Sequence, residues 1–533
     1  MSTFDRRISR TALNVALAFV LLMAAAVEAA PPRDLDRYAQ RALETFESPG
    51  MVITVVERGQ PSIVRAYGVR RMGEPAKVDE QTLFAIGSTT KAFTSAVLAS
   101  YIDEGKLAWD TKVQDVLSGF KMYDPYASAE MTIRDLLVHR SGLGPGAGDL
   151  LFYPPTTLGR DDIVHRLRYI KPATSFRSGY AYDNLLYIVA GQVIAALAGK
   201  SWEEAVRARI LDPLQMSQTS TSSTLPRNAN RAWPHVRMSA EMRGDGPMTP
   251  LGNVINLDNA AAAGALNTNG AEMAHWLRVQ LNRGLDPRTN ARIYSEAQAR
   301  EMWSAHTPMP IATNPAGLAL AQANFRAYAL GWVVSDYRGE RLVAHGGGVP
   351  GSVTLVAILP AKEVAFAIMT NSEEVGALAA VQFRLLDHYL GLSSPDWIAA
   401  QSEVHKARIA RGREMLASTA ASQTAELQSS GPSLPIANYA GRYRDDWYGL
   451  VRIESAEDGL HIRFEHTAAL SGKLEHVRHD TFRTRFGDRA IEDAYVTFAL
   501  NPDGSIETMK MRAISPLADF SFDYHDLLFK PEH

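Results

Sequence analysis

The sequence contains no cysteine, which removes disulfides, thiolate nucleophiles, thiolate metal sites and a lipidated N-terminal cysteine together. Covalent chemistry must therefore use oxygen or nitrogen. An excess of either charge is also missing. Fifty-five Lys and Arg stand against 58 Asp and Glu, for a net charge of −3 and a pI near 6.6, so the basic surplus of a nucleic-acid binder is absent. Beyond the first thirty residues there is no apolar run long enough to span a bilayer, and a polytopic membrane protein finds no support. What remains is ordinary globular composition, 46% hydrophobic and 21% charged in 533 residues, enough for about three or four folding units.

The N terminus reads as a secretory leader. Arg6, Arg7 and Arg10 precede an uncharged run from Thr11 to Val27, and small residues lead into Pro31-Pro32, with cleavage expected after Ala29. A membrane anchor is the competing reading, since that run could just cross a bilayer. The expected location is periplasmic or secreted, with no stable membrane anchor after leader cleavage.

Apolar segments at 51–56 and 63–69, separated by Arg58-Gly59-Gln60-Pro61, read as strand, turn and strand. Helical patterns follow. Phe93, Val97, Leu98, Tyr101 and Ile102 recur at helix spacing, Thr132 with Asp135 and Ser201 with Glu204 form capping boxes, and a helix from Leu185 stops at Gly199. Strands return at 342–344, 352–359 and 364–370, the last two as a hairpin. Strands at both ends with helices between them predict an α+β fold, an antiparallel sheet flanked by helices with an inserted helical region. Residues 396–435 read as a linker with a helical segment. In the tail, 436–533, Leu460, Ile462 and Phe464 alternate with His461 and Arg463 beyond the turn Asp458-Gly459, predicting a small all-β, barrel-like domain.

Three motifs carry the chemistry. In Ser88-Thr89-Thr90-Lys91 the two functional residues stand nearly one helical turn apart at a helix start, so a desolvated lysine can take the serine proton and create a nucleophile. The bland reading is an N-cap serine with a solvated lysine beyond it. Ser118 and Lys121 share the spacing without the helix and read as loop. In Tyr182-Asp183-Asn184 alternate residues can face one cleft, a phenol to move protons and an amide to hold the lysine and a substrate carbonyl; a buried tyrosine beside a turn asparagine is the alternative. In His345-Gly346-Gly347-Gly348 a strand reaches a glycine-rich bend, where substrate can lie against backbone N–H groups. No metal-ligand spacing accompanies His345, and neither metal nor cofactor is expected.

In this order and context the motifs resemble the serine β-lactamase and penicillin-binding-protein superfamily, in its class C-like esterase and peptidase branch. The residues Leu136 to Leu143 and Tyr328-Ala329-Leu330-Gly331-Trp332 are similar to family surroundings, and the likeness covers roughly 37–395, within a hydrolase domain drawn at 34–395. The resemblance implies a β-lactamase/transpeptidase-like fold in which Ser88 is acylated, Lys91 and Tyr182 share general-base work, Asn184, His345, Gly346, Gly347 and Gly348 contact substrate, and the Ser88 and Gly348 amides form the oxyanion hole. The tail is similar to a lipocalin-like module. Two positions depart from the pattern. His345 stands where many β-lactamases have Lys and is mostly neutral at pH 7, which disfavours penicillins; Asp183 stands where a small residue is usual and reads as a helix cap, with added negative charge near Lys91 as the alternative. The expectation is an exported serine hydrolase of esters, amides or short peptides, with a D-aminopeptidase, a DD-peptidase/penicillin-binding protein or a catalytically silent cell-wall-binding protein as alternatives, and a homo-oligomer through the tail. The cluster His165, Arg166, Arg168 and Lys171 reads as a solvated helix face.

Overall fold

The first two apolar segments pair as expected. Strands β1 (Gly50–Glu57) and β2 (Ile63–Gly68) are antiparallel, with Met51 opposite Tyr67 and Val55 opposite Ile63. The chain then builds the helical region and returns through β3 (Thr307–Pro308), β4 (Arg326–Tyr328), β5 (Val333–Tyr337), β6 (Glu340–Val349), β7 (Ser352–Leu359) and β8 (Val364–Thr370). In the computed structural model, which describes residues 30–226, 228–239, 242–426 and 431–532, these form one antiparallel sheet in the order β2-β1-β8-β7-β6-β5-β4-β3. The expected leader lies outside the described residues. Among those described, no single helix is long and apolar enough to cross a membrane.

The helices that matter for the site are α1 (Leu35–Phe46), α2 (Thr90–Asp103), α3 (Ile133–Leu137), α4 (Leu185–Ala198), α5 (Gly270–Leu281) and α6 (Val375–Tyr389). Strands β1 and β8 are apolar on both faces because both faces are covered. Met51, Ile53 and Val55 join Leu43, Phe46 and Leu385 of α1 and α6 in one core, whereas Val52 and Val56 join Trp276 of α5 in the other, the period of two that a strand imposes. The boxes at Thr132–Asp135 and Ser201–Glu204 both close reciprocally, and α4 ends on Gly199 in the left-handed region.

One expectation needs correction. The glycines after His345 are not a bend. They continue β6, with Gly346 opposite Leu355, Gly347 opposite Thr354 and Gly348 opposite Val353, and the chain turns after Val349. After 395 the helical segment expected in the linker is present, and its start packs on the hydrolase body. It is α7 (Trp397–Glu426), whose Trp397 and Ile398 are buried in the second core, the indole donating to Asp387 Oδ2 at 2.8 Å. The charged residues that suggested a linker belong to the solvent side of that helix.

The tail is a closed eight-stranded barrel, each strand antiparallel to the next: β9 (Gly441–Asp445), β10 (Gly449–Ala456), β11 (Gly459–Phe464), β12 (Ser471–Arg478), β13 (Thr481–Phe486), β14 (Ala494–Leu500), β15 (Ile506–Ala513) and β16 (Leu528–Pro531). In β11 the buried residues are Leu460, Ile462 and Phe464, as alternation requires. The barrel does not hang free. Its apolar residues run into the first core, and Phe522 packs on Tyr153 at 5.2 Å. Arg166, expected on a solvated face, donates to the Trp447 and Tyr448 carbonyls at 2.8 and 2.7 Å and pins the barrel to the body.

Helix α2 carries the Ser-x-x-Lys motif into the centre of the molecule, buried at every position from Thr90 to Tyr101. Phe93 stacks on Trp276 with ring centroids 3.9 Å apart. Phe93→Ala should therefore cost about 3–5 kcal/mol, read as a lowered midpoint in chemical denaturation; a shift under 1 kcal/mol would show that this stack does not hold α2.

Candidate active site

Ser88 lies in a single 3-10 turn, Gly87–Thr89, that runs directly into α2. Its hydroxyl is part-exposed while Lys91, one turn on, has no solvent contact at all. The Lys91 Nζ sits 3.0 Å from Ser88 Oγ, 2.8 Å from Asn184 Oδ1 and 3.0 Å from the Ala263 carbonyl. A protonated lysine satisfies all three as a donor. A neutral amine keeps two N–H bonds for the amide and carbonyl oxygens and turns its lone pair to the serine O–H. Burial favours the neutral form and brings the pKa down to about 7, against the opposing charges of Asp149 and Asp183. Ser118, the decoy, is exposed on a turn.

Asn184 opens α4, yet its side chain does not cap that helix. Asp183 does, accepting from the Leu186 amide at 3.2 Å, while its other oxygen accepts from the Ser141 hydroxyl; the expected capping role is the observed one. It also acts on Lys91 through its charge, the alternative role that the position suggested beside the cap. The Asn184 amide is free to face the cleft, and its orientation follows from its partners. Lys91 can only donate to oxygen, so Nδ2 is the atom that donates to Asp149 Oδ2 at 2.9 Å. Tyr182 is part-buried beside them, with Lys91 Nζ 4.9 Å from its ring centre. Burial holds its phenol well above the usual value, with the neighbouring Ser88 hydroxyl opposing.

The third motif approaches from the sheet. A Cβ on Gly347 would stand 1.9 Å from the Ile86 carbonyl oxygen and 3.2 Å from the Ser88 amide nitrogen, and one on Gly87 would stand 2.7 Å from the Gly348 nitrogen. Glycine is what lets β6 lie against the nucleophile turn, bringing the Gly348 amide to its edge. His345 is buried. Its Nδ1 lies 2.6 Å from the Gly346 carbonyl, which can only accept, so Nδ1 carries the proton and Nε2 accepts from the Tyr328 hydroxyl at 2.7 Å. Burial, with Lys91 nearby, lowers its pKa to about 3. It is a neutral hydrogen-bonding group throughout the physiological range, and the cation absent at this position is not supplied by the histidine.

Ser88, Tyr182, Asn184, His345, Gly346 and Gly348 all line one cleft of about 670 Å³, and Lys91 and Gly347 lie directly behind it. Several residues there were not singled out from the sequence. His139, with positive φ, is buried between the Tyr182 and Tyr328 rings at 4.2 and 4.3 Å; it stands inside the Leu136–Leu143 stretch already noticed. Asp149 is buried, with one oxygen shared by Asn184 and the barrel's Ser521 (2.7 Å) and the other without a partner. Burial raises its pKa to about 7, with hydrogen bonds from Ser521 and Asn184 opposing. Arg326 lines the cleft too. The least legible part is the barrel's contribution, Leu517, Phe520 and Ser521, which form one wall, while Asp523 accepts from the Gly148 and Leu150 amides at 2.5 and 3.2 Å.

The glycines give a sharp test of this geometry. A methyl on Gly346 meets nothing closer than 3.8 Å and one on Gly348 meets nothing within 4 Å, whereas on Gly347 it collides with backbone. Gly347→Ala should destabilise by about 1–3 kcal/mol or more, with Gly346→Ala and Gly348→Ala near wild type in urea denaturation. Equal behaviour of the three would contradict the close approach of β6 to Ser88.

The chain is similar to known proteins. Residues 35–390 match the family described as Beta-lactamase, and residues 426–531 match a domain of unknown function, DUF3471. The chain is 27% identical over 513 residues to the protein named unguisins hydrolase ungD of Aspergillus violaceofuscus, covering 88% of this chain and 86% of that one. It is 28% identical to penicillin-binding protein 4 of Amycolatopsis lactamdurans, over 67% and 89% of the two chains. The octameric penicillin-binding protein homologue from Pyrococcus abyssi has the same fold, with a TM-score of 0.54 at 17% identity over 93% of this chain and 99% of that one. The chain belongs to the beta-lactamase family and is a serine hydrolase of the β-lactamase and penicillin-binding-protein superfamily.

Proposed function

We propose that the protein is an exported hydrolase that opens ester or amide bonds in small molecules or short peptides through an acyl-enzyme on Ser88. The observation that carries this reading is the 3.0 Å contact between Ser88 Oγ and the buried Lys91 amine, with its pKa near 7. Neutral Lys91 takes the serine proton as Oγ adds to the substrate carbonyl carbon, and the oxyanion falls to the Ser88 and Gly348 amides. Collapse breaks the bond to the alcohol or amine, which leaves with a proton returned from Lys91 by way of the Tyr182 hydroxyl. Water then adds to the acyl carbon, gives a proton to Lys91, and frees the acid as Ser88 Oγ recovers its own. The raised pKa of Tyr182 supports a phenol that relays a proton while staying neutral, leaving Lys91 as principal base.

A neutral His345 favours substrates that need no carboxylate anchor at the third motif, so nitrocefin should be a poor substrate beside p-nitrophenyl acetate. The barrel wall favours small substrates over a wall polymer, which keeps a peptidase for short D-amino-acid peptides as the second reading. The basic, apolar and small-residue N terminus supports a periplasmic or secreted location. Self-association through the barrel is part of the same proposal; native mass measurement at micromolar concentration should exceed one chain, and a monomer would remove it.

A fluorophosphonate should label Ser88 stoichiometrically, and Ser88→Ala should abolish turnover of p-nitrophenyl acetate. Full activity in that variant would end the reading. Because the base is the deprotonated amine, kcat/KM should rise about tenfold per pH unit below 7 and level above it. The Asp149 carboxylate holds the Lys91 pKa up, so Asp149→Asn should move that rise to lower pH; a shift to higher pH would contradict the assignment.

A further inference from the structure

The cleft has a carboxylate that hydrolysis does not use. Glu492, on the barrel loop between β13 and β14, lines the same cavity as Ser88 and is only 7% exposed. Among the described residues its carboxylate has neither a hydrogen bond nor an ion pair; the contact made at this residue is its backbone carbonyl accepting from the Tyr524 hydroxyl at 3.0 Å. The cations around it are engaged elsewhere. Arg243 donates to both oxygens of Glu373, at 2.6 and 3.3 Å, and Arg485 and Arg489 hold Asp493. Asp519, on the loop after β15, also lines the cleft, accepts from the Ser521 amide, and makes no ion pair among the described residues. Burial pushes the Glu492 carboxyl up; Arg243 opposes this, and Asp493, Glu373 and Asp519 add to it.

A carboxylate with so little exposure and no hydrogen-bond partner is costly, and the cost falls when a cation is brought to it. Glu492 lines the substrate cleft, so a cation can reach it from there. A primary ammonium has three donors for the oxygens of Glu492 and Asp519, and the aromatic lining at Phe152, Tyr153 and Phe520 suits the carbon chain beside it. We propose that Glu492, with Asp519 next to it, binds the free amino group of the substrate: an amino-acid ester or amide, or a short peptide with an unblocked N terminus, whose carbonyl lies at Ser88. This rests on the acyl-enzyme reading for its substrate and adds the group by which that substrate is chosen.

The test compares phenylalanine p-nitroanilide, as both enantiomers, with its N-acetyl derivative. Wild type should prefer the free amine at least tenfold in kcat/KM for one enantiomer, and Glu492→Gln should lower that ratio at least tenfold, mainly through KM. Asp519→Asn, at an exposed position, should lower it about threefold and serves as the variant least disturbing to the fold. A wild-type ratio near one, or a ratio untouched by both substitutions, overturns the proposal. A second arm involves no chemistry. Benzylamine and N-acetylbenzylamine are titrated calorimetrically into Ser88→Ala and into the same protein carrying Glu492→Gln. Tighter binding of the amine, lost with Glu492→Gln, supports the site; equal affinity overturns it. Failure of the acyl-enzyme reading appears instead as absence of a fluorophosphonate adduct at Ser88, which leaves the calorimetric arm readable.

Discussion

A lysine with no solvent contact is the constraint around which the rest of the site is arranged. Taking an ammonium out of water costs several kcal/mol even after relaxation, so the fold must surround Lys91 with acceptors or let it lose its proton. It does both. Three oxygens stand within 3.0 Å of Nζ and two buried carboxyl groups act on it from further away, while burial still prevails and brings the pKa down to about 7. The balance matters more than either term. A fully compensated lysine would keep its proton and leave the serine inert, and an uncompensated one would destabilise α2, through which the whole first core is built.

The compensation is shared between two folding units. Asp149 orients the Asn184 amide, the Ser521 hydroxyl of the barrel donates to Asp149, and Asp523 of the same barrel loop holds the turn on which Asp149 sits. The tail is therefore joined to the lysine through three hydrogen-bonded side chains, in addition to the apolar contact at Tyr153 and Phe522 and the Arg166 clamp. An accessory domain that only tethered or shielded the enzyme would have no reason to reach a buried carboxyl beside the base. In the proposed mechanism this coupling gives the barrel an indirect hold on the serine's activation, relayed by Asp149 and Asn184.

How much of this was legible in sequence depends on whether the signal was local. The Ser-Lys spacing, both capping boxes, the Gly199 stop and the hairpin at 352–370 depend on near neighbours, and the structure has each of them. The β11 alternation was enough to mark a half-buried strand and an all-β, barrel-like tail, and the structure closes that tail into a barrel. Misreadings came where tertiary contact overrides local chemistry. A run of glycines reads as a bend, yet here it is a strand thinned so that another backbone can touch it, and the docking of α7 onto the body is hidden because its charged face outweighs Trp397 and Ile398 in composition. Arg166 looked solvated because its partners are carbonyls some 280 positions away. Asp149, Ser521 and Glu492 carry no motif at all; each matters only because a distant segment folds against it.

The neutral histidine of the third motif belongs to the same economy of charge. A cation at position 345 would lie near Lys91, in a pocket walled by Tyr180, Tyr182 and Tyr328 where screening is weak. It would push the lysine pKa lower still and itself be costly to bury. The Gly346 carbonyl settles the matter by fixing the proton on Nδ1, so that Nε2 accepts from Tyr328 and the ring gains two hydrogen bonds without charge. Positive charge is moved outward instead, to Arg326 at an exposed position of the cleft, and negative charge to Glu492 on the barrel wall. On the proposed mechanism, charge recognition sits at the periphery while the centre carries a proton between an alcohol and an amine, and a substrate can be selected by its ends without disturbing the pKa on which its cleavage depends.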